Sequence, residues 1–297
     1  MFLKINNTKL TDLENTFIHR NAWFSLCDFI YTDKGDQWSP TINNTSLFNP
    51  EDIQYGSVIY ATPFGIEEFL EKIHPRIKNP YILITYCYGA VSKYTNVVND
   101  PKILAWFGQA NGDAVKFDKF QIIPLGLFAT DEVFENRKTN GESIKRLKER
   151  EKTKLLYMNI MVHEGQHVEL AGRKYVYNLF KDQPYCKTIT LTPTWRKPFM
   201  DYMEDMADCK FTISPEGDMH DCYRHWEAII VGSIPIVHHS PLDSIFNDLP
   251  VIIVDDYAEI TEDFLNYKYE EMKDKKYNLD KLYMKYWSDL VDQAKKR

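Results

Sequence analysis

The sequence predicts an α/β protein of two Rossmann-like domains with parallel sheets, and three observations predict it. Residues 211–254, FTISPEGDMHDCYRHWEAIIVGSIPIVHHSPLDSIFNDLPVIIV, read as strand, helix and strand in quick succession, a βαβ unit whose strands must run parallel. Residues 1–135 carry four or five apolar runs of strand length, separated by helical or loop segments. Between these regions, residues 136–154 (NRKTNGESIKRLKEREKTK) are dense in charge and nearly free of apolar side chains. That stretch reads as an exposed linker, helical from Glu142, and divides the chain into domains 1–140 and 141–297.

In the first domain, residues 21–31 (NAWFSLCDFIY) are apolar and aromatic, the composition of a buried strand, with a short helix as the alternative. Residues 56–61 form a clearer strand, and residues 65–73 (GIEEFLEKI) have a helical period. Residues 81–88 (YILITYCY), 102–109 and 120–125 are three further strands ending in polar or glycine-bearing loops. The second domain opens with a strand over 154–158 and a helix over 166–180. In the central unit, Phe211-Thr212-Ile213 is a strand closed by Pro215, which cannot donate to a ladder. Asp221 stands at a helix N-cap position. Cys222, Trp226, Ile229 and Ile230 recur at helical spacing, and Gly232 suits a C′ stop. Residues 234–237 and 250–254 are two more buried strands. Beyond Asp256 the pattern is helical to Arg297, with Tyr283, Tyr286, Trp287 and Leu290 as an aromatic stripe.

At 297 residues the chain can bury a large core, and 44% hydrophobic content excludes a disordered one. A net charge of −7 argues against a general nucleic-acid or anionic-membrane binder, so no nucleic-acid partner is expected. No window reaches the ~18 apolar residues of a membrane span, and the N-terminus has no signal-type run. Five cysteines, odd in number and without a C-x-x-C pair, read as buried thiols in a reducing compartment. The chain is therefore expected to be soluble and cytoplasmic.

In an open parallel sheet the ligand crevice lies beyond the carboxyl ends of the strands, beside helix N-termini. The turn Ser214-Pro215-Glu216-Gly217, Asp221 and the first helical turn would all face it. Arg224 and Glu227 are three apart and share one helix face. The arginine can fork onto phosphate oxygens, and the carboxylate can accept from a ribose diol. An ordinary surface ion pair is the plain alternative.

The sequence F-x-I-S-P-E-G-D…R-x-x-E-A-I-x-x-G-S-I-P-I-V, followed by L-P-V-I-I-V-D-D-Y, resembles the signature region of exostosin-type glycosyltransferases, over residues 210–265 or about a fifth of the chain. A weaker likeness at 106–127, WFGQAN…IIPLGL, resembles the N-terminal domain of the smaller, xylosyltransferase-like members. The resemblance implies a GT-B fold, two Rossmann-like domains with parallel sheets facing a central cleft, and inverting transfer of a sugar from a nucleoside-diphosphate donor. UDP-sugar, and UDP-xylose by likeness to the shorter relatives, is the expected co-substrate. A glycan or glycoprotein hydroxyl is the expected acceptor. A terminal helix crossing back onto the first domain is implied too, although a helix packed on its own domain fits the same stripe. Members are often Golgi-anchored; a chain without an apolar span is expected to be a naturally soluble member, with a removed anchor as the alternative.

On this reading Arg173, Ser214, Pro215, Glu216, Gly217, Arg224 and Glu227 bind the donor, and Arg196 is a weaker phosphate candidate. Asp113 is the candidate base for the acceptor hydroxyl, against its turn-capping role in N-G-D. No resident cofactor or metal is expected, because no two aspartates form the D-x-D that holds a divalent ion in GT-A transferases. A catalytically silent protein that binds nucleotide sugar or glycan would share these residues. Asp255-Asp256 can contact a sugar or cap a turn, and neither a P-loop nor G-x-G-x-x-G occurs.

One motif points elsewhere. His163-Glu164-Gly165-Gln166-His167 is a literal H-E-x-x-H, the pattern of a zinc metallopeptidase. Gly165 weakens a helix there, and a strand-like run precedes His163, so the motif falls at a strand-to-helix turn.

Overall fold

The computed structural model describes residues 1–5, 10, 12–32, 45–86, 91–109, 117–128, 137–161, 172–191, 197–217 and 219–297. The chain forms two compact units. Met1–Leu125 joins Asp280–Arg297 in the first, and Gly126–Leu279 forms the second.

The first unit is built on β1 (Phe2–Ile5), β2 (Phe29–Tyr31), β3 (Thr45–Leu47), β4 (Ser57–Ala61), β5 (Tyr81–Thr85), β6 (Ile103–Gly108) and β7 (Phe120–Ile122). The described strands lie in the order β3-β1-β2-β4-β5-β6-β7. From β2 to β7 every pairing is parallel. The expected all-parallel sheet is corrected at one edge, where β1 runs antiparallel to both β2 and β3. Central β5 and β6 are buried throughout and so read as continuous apolar runs, whereas β1 leaves Lys4 exposed and is too short and mixed to announce itself.

The expected strand over 21–31 resolves into a helix, Arg20–Ser25, followed by the three residues of β2. His19 Nδ1 caps that helix by accepting from the Ala22 amide at 3.2 Å. Its buried face, Ala22, Trp23 and Phe24, is as apolar as a strand would be, and so short a run has no decisive period. The helix Met284–Ala294 packs in this same unit, with Trp287 5.5 Å from Trp23 between ring centroids. It buries Met284, Trp287, Val291 and Ala294, a face rotated from the aromatic stripe, because tyrosines can keep a polar end in water.

The second unit holds β8 (Lys154–Met161), β9 (Cys186–Leu191), β10 (Cys209–Ile213), β11 (Ile234–His238) and β12 (Ile252–Val254), all parallel, in the order β12-β11-β10-β8-β9. Helices Arg173–Phe180, Phe199–Ala207 and Tyr223–Ile230 connect β8 through β11. β9 and the helix Phe199–Ala207 were not foreseen from the sequence. Leu156, Met158 and Ile160 of β8 pack with Phe211, Ile213 and Ile236, and with Val176 and Phe180 of the first of these helices. Gly232 does end its helix, at φ +76°, which a glycine adopts without strain. The N-cap is Cys222 rather than Asp221, whose carboxylate instead accepts from the Cys222 amide and the Trp226 indole, both at 2.8 Å. The continuous helix expected after Asp256 is interrupted: Glu262–Met272 is separated from Met284–Ala294 by an irregular stretch and a short 3₁₀ turn, Asp280–Leu282.

Two α/β units, each with a parallel-rich sheet, are the two-domain architecture expected of a GT-B-like protein. Among the described residues no helix is long and apolar enough to cross a membrane.

Candidate functional site

The strand order of the second unit fixes where a ligand crevice can form. From β8 the chain moves outward to β9, then returns to place β10 on the opposite side of β8. The connections after β8 and β10 therefore leave in opposite directions and open a crevice at their carboxyl ends. Arg173, first residue of the helix after β8, and Ser214–Gly217, immediately after β10, lie at this switch point.

Arg173 Nε donates to the Glu216 carbonyl at 2.9 Å. Its guanidinium also lies over Gly217, where a Cβ would come within 2.8 Å of a terminal nitrogen. A larger residue there would push the flexible end of Arg173 aside. The Gly217 amide, expected to face a diphosphate, donates instead to the Met219 carbonyl at 3.2 Å and closes the turn.

Ser214 is fully buried. Its amide continues the ladder to Ile236, and its hydroxyl lies 2.7 Å from His225 Nδ1. His225 Nε2 faces the His220 carbonyl at 3.2 Å, and a carbonyl only accepts, so Nε2 carries the proton and Ser214 donates to Nδ1. Burial holds His225 neutral, its pKa lowered to about 3, with the Arg224 and Arg173 charges acting the same way. Ser214 thereby shapes the turn.

Arg224 is 8% exposed. Its contacts to the Pro215 carbonyl (3.5 Å) and Cys222 Sγ (3.9 Å) are long, and Nε has no hydrogen-bond partner among the described residues. One turn later Glu227 is 3% exposed. It accepts from the Tyr202 hydroxyl at 2.7 Å and the Phe128 amide at 3.1 Å. Burial raises its pKa, against those two hydrogen bonds and the Arg224 charge. Arg224 and Glu227 thus share a buried helix face rather than a surface ion pair. Glu216 places Oε1 2.7 Å from His220 Nδ1, and that hydrogen bond raises the His220 pKa.

Arg173, Ser214, Pro215, Glu216, Gly217, Arg224 and Glu227 therefore come together in one unit. Sequence reasoning missed Tyr202, Phe128, His220, His238 and Tyr257, which reach this neighbourhood from other segments. Only a tyrosine after the Asp255-Asp256 strand end was a usable signal. Asp256 turns out to cap a 3₁₀ turn by accepting from the Ala258 amide at 2.9 Å, and it also accepts from Tyr175. Asp113, Arg196 and the motif His163-Glu164-x-x-His167 lie outside the described residues.

Comparison with known proteins adds the following. No curated protein matches the chain. Among solved structures it is similar to the "Crystal Structure of Glycosyltransferase from Rickettsia africae ESF-5", at 12% identity over 80% of this chain and 72% of that one, with a TM-score of 0.39. Residues 191–296 match the family model described as RXYLT1 C-terminal domain. Over that segment the chain is similar to the RXYLT1 C-terminal domain, in keeping with the exostosin-type likeness that its motifs suggested.

Proposed function

We propose that this protein is an inverting, metal-independent glycosyltransferase that moves a sugar from a UDP-sugar, with UDP-xylose the favoured donor, to a glycan hydroxyl. The observation that carries the reading is the buried Arg224, held by long contacts beside the Pro215–Gly217 turn, with Arg173 across the same turn. A fully apolar environment would not retain a guanidinium so weakly paired, and its planar fork suits a diphosphate.

In the proposed reaction the acceptor oxygen attacks the anomeric carbon as the bond to the diphosphate oxygen breaks. The acceptor proton passes to a base, for which Asp113 is the candidate. The departing diphosphate gains charge, and Arg224, Arg173 and the N-terminus of helix Tyr223–Ile230 meet it. Glu227 backs Arg224 and ties the helix to Tyr202 and to the Phe128 amide. The xylose assignment leans on the family description matched by residues 191–296.

The test is calorimetric titration of the full chain with UDP and with GDP in EDTA, followed by product analysis with UDP-xylose and glycan acceptors. Micromolar UDP binding and an inverted product support the reading. Absence of binding by either nucleotide, with stoichiometric zinc in the protein, would transfer the function to His163-Glu164-x-x-His167.

A further inference from the structure

Beyond the phosphate-facing arginines, the carboxyl ends of β10, β11 and β12 gather polar atoms that the protein leaves unpaired. Glu216 Oε2, Arg224 Nε, the Tyr257 hydroxyl and His238 Nε2 are buried and have no hydrogen-bond partner among the described residues. Glu216 is 6% exposed, Arg224 8% and Tyr257 0%. They lie at neighbouring strand ends: the charges of Glu216 and Arg224 both act on the Tyr257 phenol, whose ring centroid is 6.3 Å from that of His238. Buried polar groups are nearly always satisfied, so a cluster of exceptions at the ligand-binding edge of a parallel sheet marks groups that a ligand completes.

The chemistry of the cluster selects that ligand. A carboxylate oxygen only accepts, so its partner must be a donor, which excludes a phosphate or carboxylate oxygen. His238 Nδ1 donates to the His239 carbonyl at 2.9 Å, and in that tautomer Nε2 is a second acceptor. Arg224 Nε only donates, and a phenol does either. Two acceptors, one donor and one group of both kinds at neighbouring strand ends match the hydroxyls of a diol. Glu227, the acid expected from sequence to take a ribose, already has each oxygen engaged by protein.

We propose that Glu216, Tyr257 and Arg224 form a diol pocket for the donor, in which Glu216 Oε2 accepts from one hydroxyl while Arg224 Nε donates to its neighbour and Tyr257 bridges the two. This assignment rests on the nucleotide-sugar reading. The diol belongs to the nucleoside ribose or to the transferred sugar, and the same chemistry serves both.

Calorimetry on wild type, Glu216→Gln and Tyr257→Phe separates these, using UDP, 2′-deoxy-UDP and UDP-xylose. Each substitution is expected to weaken the diol-bearing ligand about tenfold, equivalent to ~1.4 kcal/mol. For a ribose diol the loss appears with UDP and vanishes with 2′-deoxy-UDP. For a sugar diol it appears with UDP-xylose and not with UDP. Apo Tyr257→Phe should melt within about 2 °C of wild type, since the deleted hydroxyl has only a weak interaction with the His238 backbone and no well-formed hydrogen bond among the described residues. If the ligands bind wild type and both variants alike, or if Tyr257→Phe lowers the melting temperature by more than that, the pocket is overturned and the donor reading survives. If neither UDP nor UDP-xylose binds wild type, both fall together.

Discussion

Arg173 lies across Gly217, donating to the preceding carbonyl at 2.9 Å with a terminal nitrogen where a Cβ would stand. The backbone of Gly217 is not in the positive-φ region, so an alanine there meets only the mobile end of a long side chain. Gly217→Ala should therefore leave the melting temperature within about 2 °C of wild type, the scale of a surface change. Nucleotide affinity should fall about tenfold through displacement of Arg173. Unchanged affinity, measured by calorimetry, would remove Arg173 from the donor site.

Arg224→Ala should weaken UDP binding by roughly 1.5–3 kcal/mol, the range for a hydrogen bond to a charged group. Arg224→Lys should recover only part of that, because an ammonium lacks the planar fork. Full recovery by lysine would mean that charge alone matters at this position.

His225 sets an acid limit on the second unit. Its folded pKa, lowered to about 3 chiefly by burial, lies below the unfolded value, so the unfolded chain takes up the proton first as pH falls. The sign is loss of stability on acidification: the contribution is complete above about pH 6.5 and declines by ~1.4 kcal/mol per pH unit below it. Urea unfolding between pH 7 and 4 should show this slope, reduced in His225→Gln. His220 opposes it, since its raised pKa adds stability at low pH that is lost as pH rises through the folded value.

Lys152 Nζ closes two helix ends at once, donating to the Ala207 carbonyl at 2.6 Å and the Val231 carbonyl at 2.8 Å. Lys152→Met should destabilise the chain by roughly 1–3 kcal/mol by stranding both carbonyls. Burial lowers the lysine pKa to about 8, so between pH 8 and the unfolded value the unfolded chain holds more protons. Stability should accordingly rise with pH across that window in wild type, and the variant should lack this rise in denaturation curves.

Much of this protein was written locally. The β10–helix–β11 unit, the Pro215 strand end and the Gly232 stop depend on short-range periodicity and backbone stereochemistry, and they appear where the residues placed them. The same is true of the buried central strands, whose unbroken apolar runs reflect cover on both faces. Where local composition is ambiguous, reading failed: 21–31 is apolar enough for helix or strand, and Phe2–Ile5 is too short to carry a pattern.

The site residues followed the same division. Arg224 and Glu227 were legible because three residues on a helix are neighbours by geometry. Their environment was not, because the Phe128 amide bonds Glu227 across 99 residues of sequence and the Glu216 charge acts on Tyr257 only through the alignment of β10, β11 and β12. By itself the sequence determined the central buried strands, the strand–helix–strand alternation around Arg224 and the identity of the turn. Tertiary structure alone decided which acid is satisfied and which is left open, and which face of the last helix is buried. Burial and partner choice are properties of long-range packing, and no local period encodes them.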